Sequence, residues 1–206
     1  MNRTDTTRNS ARLARLAWSQ ARAGWIDGAR RFVSPNFNER PPGCPADTVI
    51  IHAISLPPGQ FSGDAVERLF MNRLDGDPDP VLAGLADLRV SAHFVIRRRG
   101  GVLQFVSTGH RAWHAGPSRL LEREACNDFS IGIELEGDDD HPFTPTQYER
   151  LSTVLQLLRE RHPLRLIAGH SDIAPERKTD PGPHFDWVRV LESPGGAGLS
   201  RPFPVR

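Results

Sequence analysis

Thr48-Val49-Ile50-Ile51-His52-Ala53-Ile54 is the stretch on which the fold turns. It is rich in β-branched residues and nearly continuously apolar, which reads as a buried strand ending near His52. Leu56-Pro57-Pro58-Gly59 stops it. Further along, residues 62–74 read as a short helix with Ala65 and Leu69 facing inward. Residues 90–97 read as a strand, with Ser91, His93 and Val95 on one face and Ala92, Phe94 and Ile96 on the other. Gly100-Gly101 turns that strand into a second one over 102–106. Residues 129–136 form another strand, with Ser130, Gly132, Glu134 and Glu136 on its polar face. Thr144-Pro145-Thr146-Gln147 opens a helix with a capping box, and Tyr148, Leu151, Leu155 and Leu158 give it an apolar stripe. A strand over 164–168 and a short helix near 186–191 follow. Hairpin signals beside helix-separated strands predict an α/β (α+β) fold with a mixed central sheet flanked by helices.

The chain has 206 residues, 38% hydrophobic and 25% charged, which suits one packed domain. We place that domain at 24–193, with a flexible or helical N-terminal extension at 1–23 and a Gly/Pro-rich, loose tail at 194–206. A net charge of +1 gives no strong field to hold nucleic acid or an acidic membrane surface. No run of about 18 apolar residues exists, so no membrane span is expected. Residues 1–23 carry Arg3, Arg8, Arg12, Arg15 and Arg22 but lack the apolar stretch of about 7–15 residues that a signal peptide needs. A cytoplasmic protein is therefore expected, with Cys44 and Cys126 as reduced thiols.

Two histidines, His52 and His170, fall where a strand runs out into a loop, the place where sites are built. Asp180 follows ten residues after His170, in a loop stiffened by Pro175, Pro181 and Pro183. Two imidazoles and a carboxylate leave one zinc position open for water, and the same set also suits a non-haem iron oxygenase. The plainer alternative is a satisfied core histidine and a turn aspartate. Glu134 and Glu136 lie on the polar face of an apolar strand, where a carboxylate is either a proton-transfer group or half of a salt bridge. Lys178, two residues before Asp180, is either an oxyanion stabiliser or a solvated lysine.

Several blocks carry a resemblance. They are Ile51-His52-Ala53-Ile54-Ser55-Leu56-Pro57-Pro58-Gly59, Arg89-Val90-Ser91-Ala92-His93, Arg111-Ala112-Trp113-His114-Ala115-Gly116, Asn127 to Gly137, Gly169-His170, and Ile173 to Pro183. In this order they resemble the N-acetylmuramoyl-L-alanine amidases that act on 1,6-anhydro-muropeptides in cell-wall recycling. That family is related to peptidoglycan recognition proteins and phage amidases. The resemblance implies a mixed central sheet flanked by helices and one Zn2+ per chain held by His52, His170 and Asp180. It implies Glu134 as the catalytic glutamate and Lys178 as the transition-state lysine. The reaction implied is hydrolysis of the amide between the lactyl group of (1,6-anhydro)-N-acetylmuramic acid and L-alanine.

Some members of the wider family place a tyrosine beside the strand histidine. Here that position is Ala92, and Tyr148 sits on a helix, which puts proton transfer on Glu134. Ala53 stands where the family usually has asparagine, and Ala125 where a basic residue is expected. Both departures concern substrate grip. Trp113 and His114 are expected to touch sugar or peptide, and Arg89 to pair with a peptide carboxylate or with a surface acid. His93 is read as structural. The partner expected is a small-molecule anhydro-muropeptide, with no nucleic acid, and a monomer is the expected state. The rival functions are a peptidoglycan-binding module without turnover and an iron oxygenase.

Overall fold

The computed structural model describes residues 13–204. Its central sheet contains β1 (Arg30–Arg31), β2 (Thr48–Ile54), β3 (Phe94–Ile96), β4 (Val102–Gln104), β5 (Ser130–Glu136) and β6 (Leu166–Gly169). These lie in the order β6-β2-β5-β3-β4-β1. The first four run parallel, β4 folds back antiparallel on β3, and β1 pairs parallel with β4. The sheet is mixed, as the hairpin and crossover signals predict. The helices that matter for the site are α1 (Ala65–Phe70), α2 (Pro145–Arg161), α3 (His170–Ile173) and α4 (Trp187–Glu192).

The apolar strands are buried because both faces of the sheet are covered. Val49, Ile51, Ile131, Ile133, Leu135 and Ile167 pack in one cluster with Tyr148, Leu151, Val154, Leu155 and Leu158 of α2. Burying one such aliphatic side chain stabilises the fold by about 1.5–3 kcal/mol. Opposite them, Ile50 and Ala168 join Ala115, Leu120, Cys126, Phe129 and Ile173, while α1 covers Val95, Leu103 and Phe105. His52 and Glu134 alternate onto this second side, so the site is built against packed loops rather than against α2.

Helix α2 begins at the expected cap. Thr144 Oγ1 accepts from the Gln147 amide at 3.2 Å, and the Thr144 amide donates to Gln147 Oε1 at 3.0 Å. Thr144→Ala is expected to cost about 1 kcal/mol of stability. Urea titration should show a lower midpoint with an unchanged slope; an unchanged midpoint would mean the cap contributes nothing.

Several boundaries differ from the sequence reading. The helix expected over 62–74 spans only Ala65–Phe70, bracketed by Gly63 and Asn72 in left-handed conformations. The strand expected over 90–97 pairs only from Phe94 to Ile96. Upstream, Ser91 bonds instead to loops, its amide donating to the Trp113 carbonyl and its hydroxyl to the Asn36 carbonyl. Residues 1–12 of the expected extension lie outside the described residues. Residues 13–23 belong to the packed unit: Ala17–Trp18 pairs with Ile26–Asp27, and Leu16 and Trp18 are buried in the α2 cluster. Trp18 Nε1 also donates to the Leu157 carbonyl at 2.9 Å. Residues 194–204 of the tail are not loose either. Leu199 is buried, Ser200 bridges to Leu166, and Arg201 pairs with Asp172. Both corrections have one cause: a few apolar side chains in a polar stretch complete surfaces that the central domain leaves open. No helix among the described residues is long and apolar enough to cross a membrane.

Candidate metal centre

Register places the first groups. On adjacent parallel strands, Glu134 of β5 lies opposite His52 of β2, and Gly169 of β6 lies opposite Ile51. His170, the next residue, therefore emerges beside His52 at the carboxyl ends of the strands, where open α/β sheets form their sites. The chain then loops away and returns: the Ser171 amide donates to the Asp180 carbonyl at 2.8 Å, bringing that side chain back over the strand ends.

Three atoms converge. His52 Nδ1 and His170 Nδ1 are 3.0 Å apart, and Asp180 Oδ2 lies 3.2 Å from the first and 3.1 Å from the second. Tetrahedral zinc bonds of about 2.0–2.1 Å put neighbouring ligand atoms about 3.3 Å apart, so this triangle has the right size. Both imidazoles are buried and Asp180 is half-buried. Two ring nitrogens and a carboxylate oxygen this close repel unless something positive lies among them. A borderline-soft dication taking nitrogen and oxygen ligands satisfies all three, so the donor set fits zinc.

The electrostatics agree. Burial lowers His52 to about 4, against the opposing pull of the Asp180 carboxylate beside it, so the ring is neutral and ligand-competent at pH 7. Burial would raise Asp180, but the contacts of its carboxylate with the His170 and His52 rings outweigh it and hold the carboxyl below its ordinary range. Glu134 behaves oppositely. Burial pushes it well above the usual carboxylate range, the Asp180 charge adds to this, and the Lys178 ammonium pulls the other way. Its Oε2 is buried and has no hydrogen-bond partner among the described residues. Glu136, the other acid on that face, is fully engaged. It forms an ion pair with Arg97, which also holds Glu67, and accepts from the Arg98 amide at 3.0 Å.

A cleft of about 510 Å³ opens beside the triangle, lined by Ala53, Ser55, Asp139, Lys178 and Asp180 among others. Lys178 is exposed in its wall. The three residues expected to grip substrate are placed elsewhere. Arg89 is exposed and donates to the Ala86 carbonyl at 2.6 Å, and Trp113 donates from Nε1 to Asn38 Oδ1 at 2.7 Å. Neither lines the cleft. His114 is buried, with Nδ1 2.9 Å from His52 Nε2 and Nε2 3.2 Å from Ser130 Oγ, so neither nitrogen is left for a substrate. His93 accepts from the Gly132 amide and lies 3.1 Å from the His110 carbonyl, a tie between β5 and its neighbouring loops.

A sequence model of the N-acetylmuramoyl-L-alanine amidase family matches residues 42–183. The chain belongs to that family. The 1,6-anhydro-N-acetylmuramyl-L-alanine amidase AmpD of Citrobacter freundii is 50% identical over 168 residues, covering 81% of this chain and 90% of that protein. The crystal structure of a selenomethionine AmpD derivative has a TM-score of 0.78 at 48% identity, covering 82% of this chain and 96% of its own. AmiD of Escherichia coli, solved with the substrate anhydro-N-acetylmuramic acid-L-Ala-D-γ-Glu-L-Lys, has a TM-score of 0.53 at 26% identity, covering 86% and 65%.

The amidase fold also brings in residues that have no individual role in the sequence reading. Asn127 Oδ1 accepts from the amides of His114 and Ala115 at 3.1 and 2.8 Å. Arg177 reaches the carbonyls of Ala115 and Pro117, clamping the Asp180 loop onto the Trp113 loop. Both act through backbone atoms, which leave no pattern in side-chain spacing.

Proposed function

We propose that this amidase is zinc-dependent and hydrolyses the amide between the lactyl group of 1,6-anhydro-N-acetylmuramic acid and L-alanine in muropeptides. The substrate class is supported by the name of the half-identical Citrobacter freundii relative. The chemistry is carried by one observation: a metal-sized triangle of His52, His170 and Asp180 beside Glu134 on the next strand, whose buried Oε2 has no hydrogen-bond partner among the described residues. His52, His170 and Asp180 would hold the ion. When bound, zinc supplies Lewis acidity that polarises an amide carbonyl and acidifies water. Glu134 takes the proton of the attacking water and delivers it to the leaving alanine nitrogen. Lys178, in the cleft wall, stabilises the negative charge that develops on the carbonyl oxygen.

A charge aimed at a developing oxyanion favours the transition state over the neutral amide. Lys178→Ala is therefore expected to lower kcat on the order of 10-fold with little change in KM, less than the roughly 10²–10³-fold of a water-excluded donor because this ammonium is exposed to water. Lys178→Arg should rescue poorly, since the guanidinium group is larger and spreads the same single charge over its plane. A raised KM at constant kcat would instead make Lys178 a grip on a substrate carboxylate. The reading as a whole is tested by incubating the protein with purified anhydro-muropeptide, with and without a chelator, and weighing the products by mass spectrometry. Release of the intact peptide stem, abolished by the chelator and restored by zinc, is expected. An unchanged muropeptide would overturn it.

A further inference from the structure

Both histidines of the triangle lean on a single loop from behind. His170 Nε2 lies 3.2 Å from the Ala115 carbonyl oxygen. A carbonyl only accepts, so Nε2 carries the proton and the neutral ring presents a bare Nδ1 to the site. For His52 the decision is made further away. Ser130 Oγ gives its proton to the Cys126 carbonyl at 2.5 Å, so towards His114 it is an acceptor. His114 Nε2, at 3.2 Å, must then donate to it, which leaves His114 Nδ1 bare. That nitrogen, at 2.9 Å, accepts from His52 Nε2, and His52 Nδ1 is bare in turn.

We infer that His114 and Ala115 are the positioning element of the metal centre, fixing both ligand histidines in the Nε2–H tautomer that binds through Nδ1. The inference rests on the zinc reading above. Three features show that the element is built for the purpose. Asn127 Oδ1 pins the amides of both residues. Arg177, from the loop that carries Asp180, shares the Ala115 carbonyl with His170. Gly132 makes room for the His114 ring: a Cβ there would stand 2.4 Å from His114 Cγ, which no real contact permits. A glycine in the middle of a strand marks such a close approach. His114 is thus a positioning residue acting through His52.

The test is zinc affinity of the full chain, measured by competition with a chromophoric chelator. His114→Phe keeps a ring and removes the acceptor; His114→Asn places an amide oxygen where Nδ1 stood. Outer-sphere partners of this kind are worth about 10–100-fold in metal affinity, and that loss is expected for His114→Phe. His114→Asn should recover most of it, which a purely packing role would not produce. Equal losses in the two variants, or wild-type affinity in His114→Phe, would overturn the inference. If His114→Phe does not fold, Ser130→Ala decides, because it frees the His114 tautomer by removing one oxygen atom. Weakened zinc binding there supports the relay, and wild-type affinity ends it. A wild-type chain that binds no zinc would sink the zinc reading itself. Normal wild-type binding with insensitive variants sinks only the positioning role.

Discussion

Glu134→Gln is expected to lower kcat by 10²-fold or more while zinc content stays at the wild-type level, as for a removed general base. The geometry separates Glu134 from its neighbour on the same face. Glu136 is paired with Arg97 and bonded to the Arg98 amide, so its oxygens are committed to the fold. Glu134 is opposite His52, buried, and holds one oxygen with no partner among the described residues. An uncompensated buried carboxylate is costly, and such a cost persists where function requires it. The sign of its effect on stability follows. Its folded pKa is raised above the unfolded value. The stability that the protonated form contributes is therefore fully present below the unfolded pKa and lost as pH rises through the folded one. In metal-free protein at neutral pH, Glu134→Gln should be more stable than wild type, and the gap should close in acid. Calorimetry of the metal-free forms at two pH values, beside steady-state kinetics, checks both halves. A crippled Glu136→Gln with a mild Glu134→Gln would show that the wrong carboxylate had been chosen.

Much of this site was legible because His52, Glu134 and His170 fall towards the carboxyl ends of apolar strands. His52 and Glu134 interrupt runs of isoleucine and leucine, and a polar group there calls for a reason. The capping box at Thr144 was equally plain, since its residue types act only over four positions. What stayed hidden depends on long-range contact. His114 resembles a loop residue offered to substrate, yet Gly132, eighteen residues later, makes the space that buries it. Arg89 and Trp113 stand in conspicuous motifs but bond locally or to Asn38. Leu16, Trp18 and Leu199 were read as parts of loose ends because their neighbours are polar; a single tryptophan over α2 outweighs that composition.

Replacing both His52 and His170 with alanine is expected to take zinc content from about one per chain to near zero, since one carboxylate cannot hold the ion alone. The protein should survive the change. Neither histidine belongs to the apolar cluster around α2, and Val49, Ile51, Ile133 and Leu135 keep their packing. The lost imidazoles leave His114 Nδ1 and the Ala115 carbonyl short of a partner, and each buried unsatisfied group costs about 1–3 kcal/mol. Ala115 still accepts from Arg177, so the loss there is the smaller of the two. Ligand linkage supplies a second readout. An ion bound only by the folded state adds about 4 kcal/mol when present at a thousandfold excess over its Kd. Zinc should therefore raise the melting temperature of the wild-type chain and leave that of the double variant unmoved. Plasma emission spectrometry gives the metal content, and thermal melts with and without chelator give the linkage. Zinc content that stays at one per chain in the double variant would place the ion elsewhere and remove the metal role from all three residues.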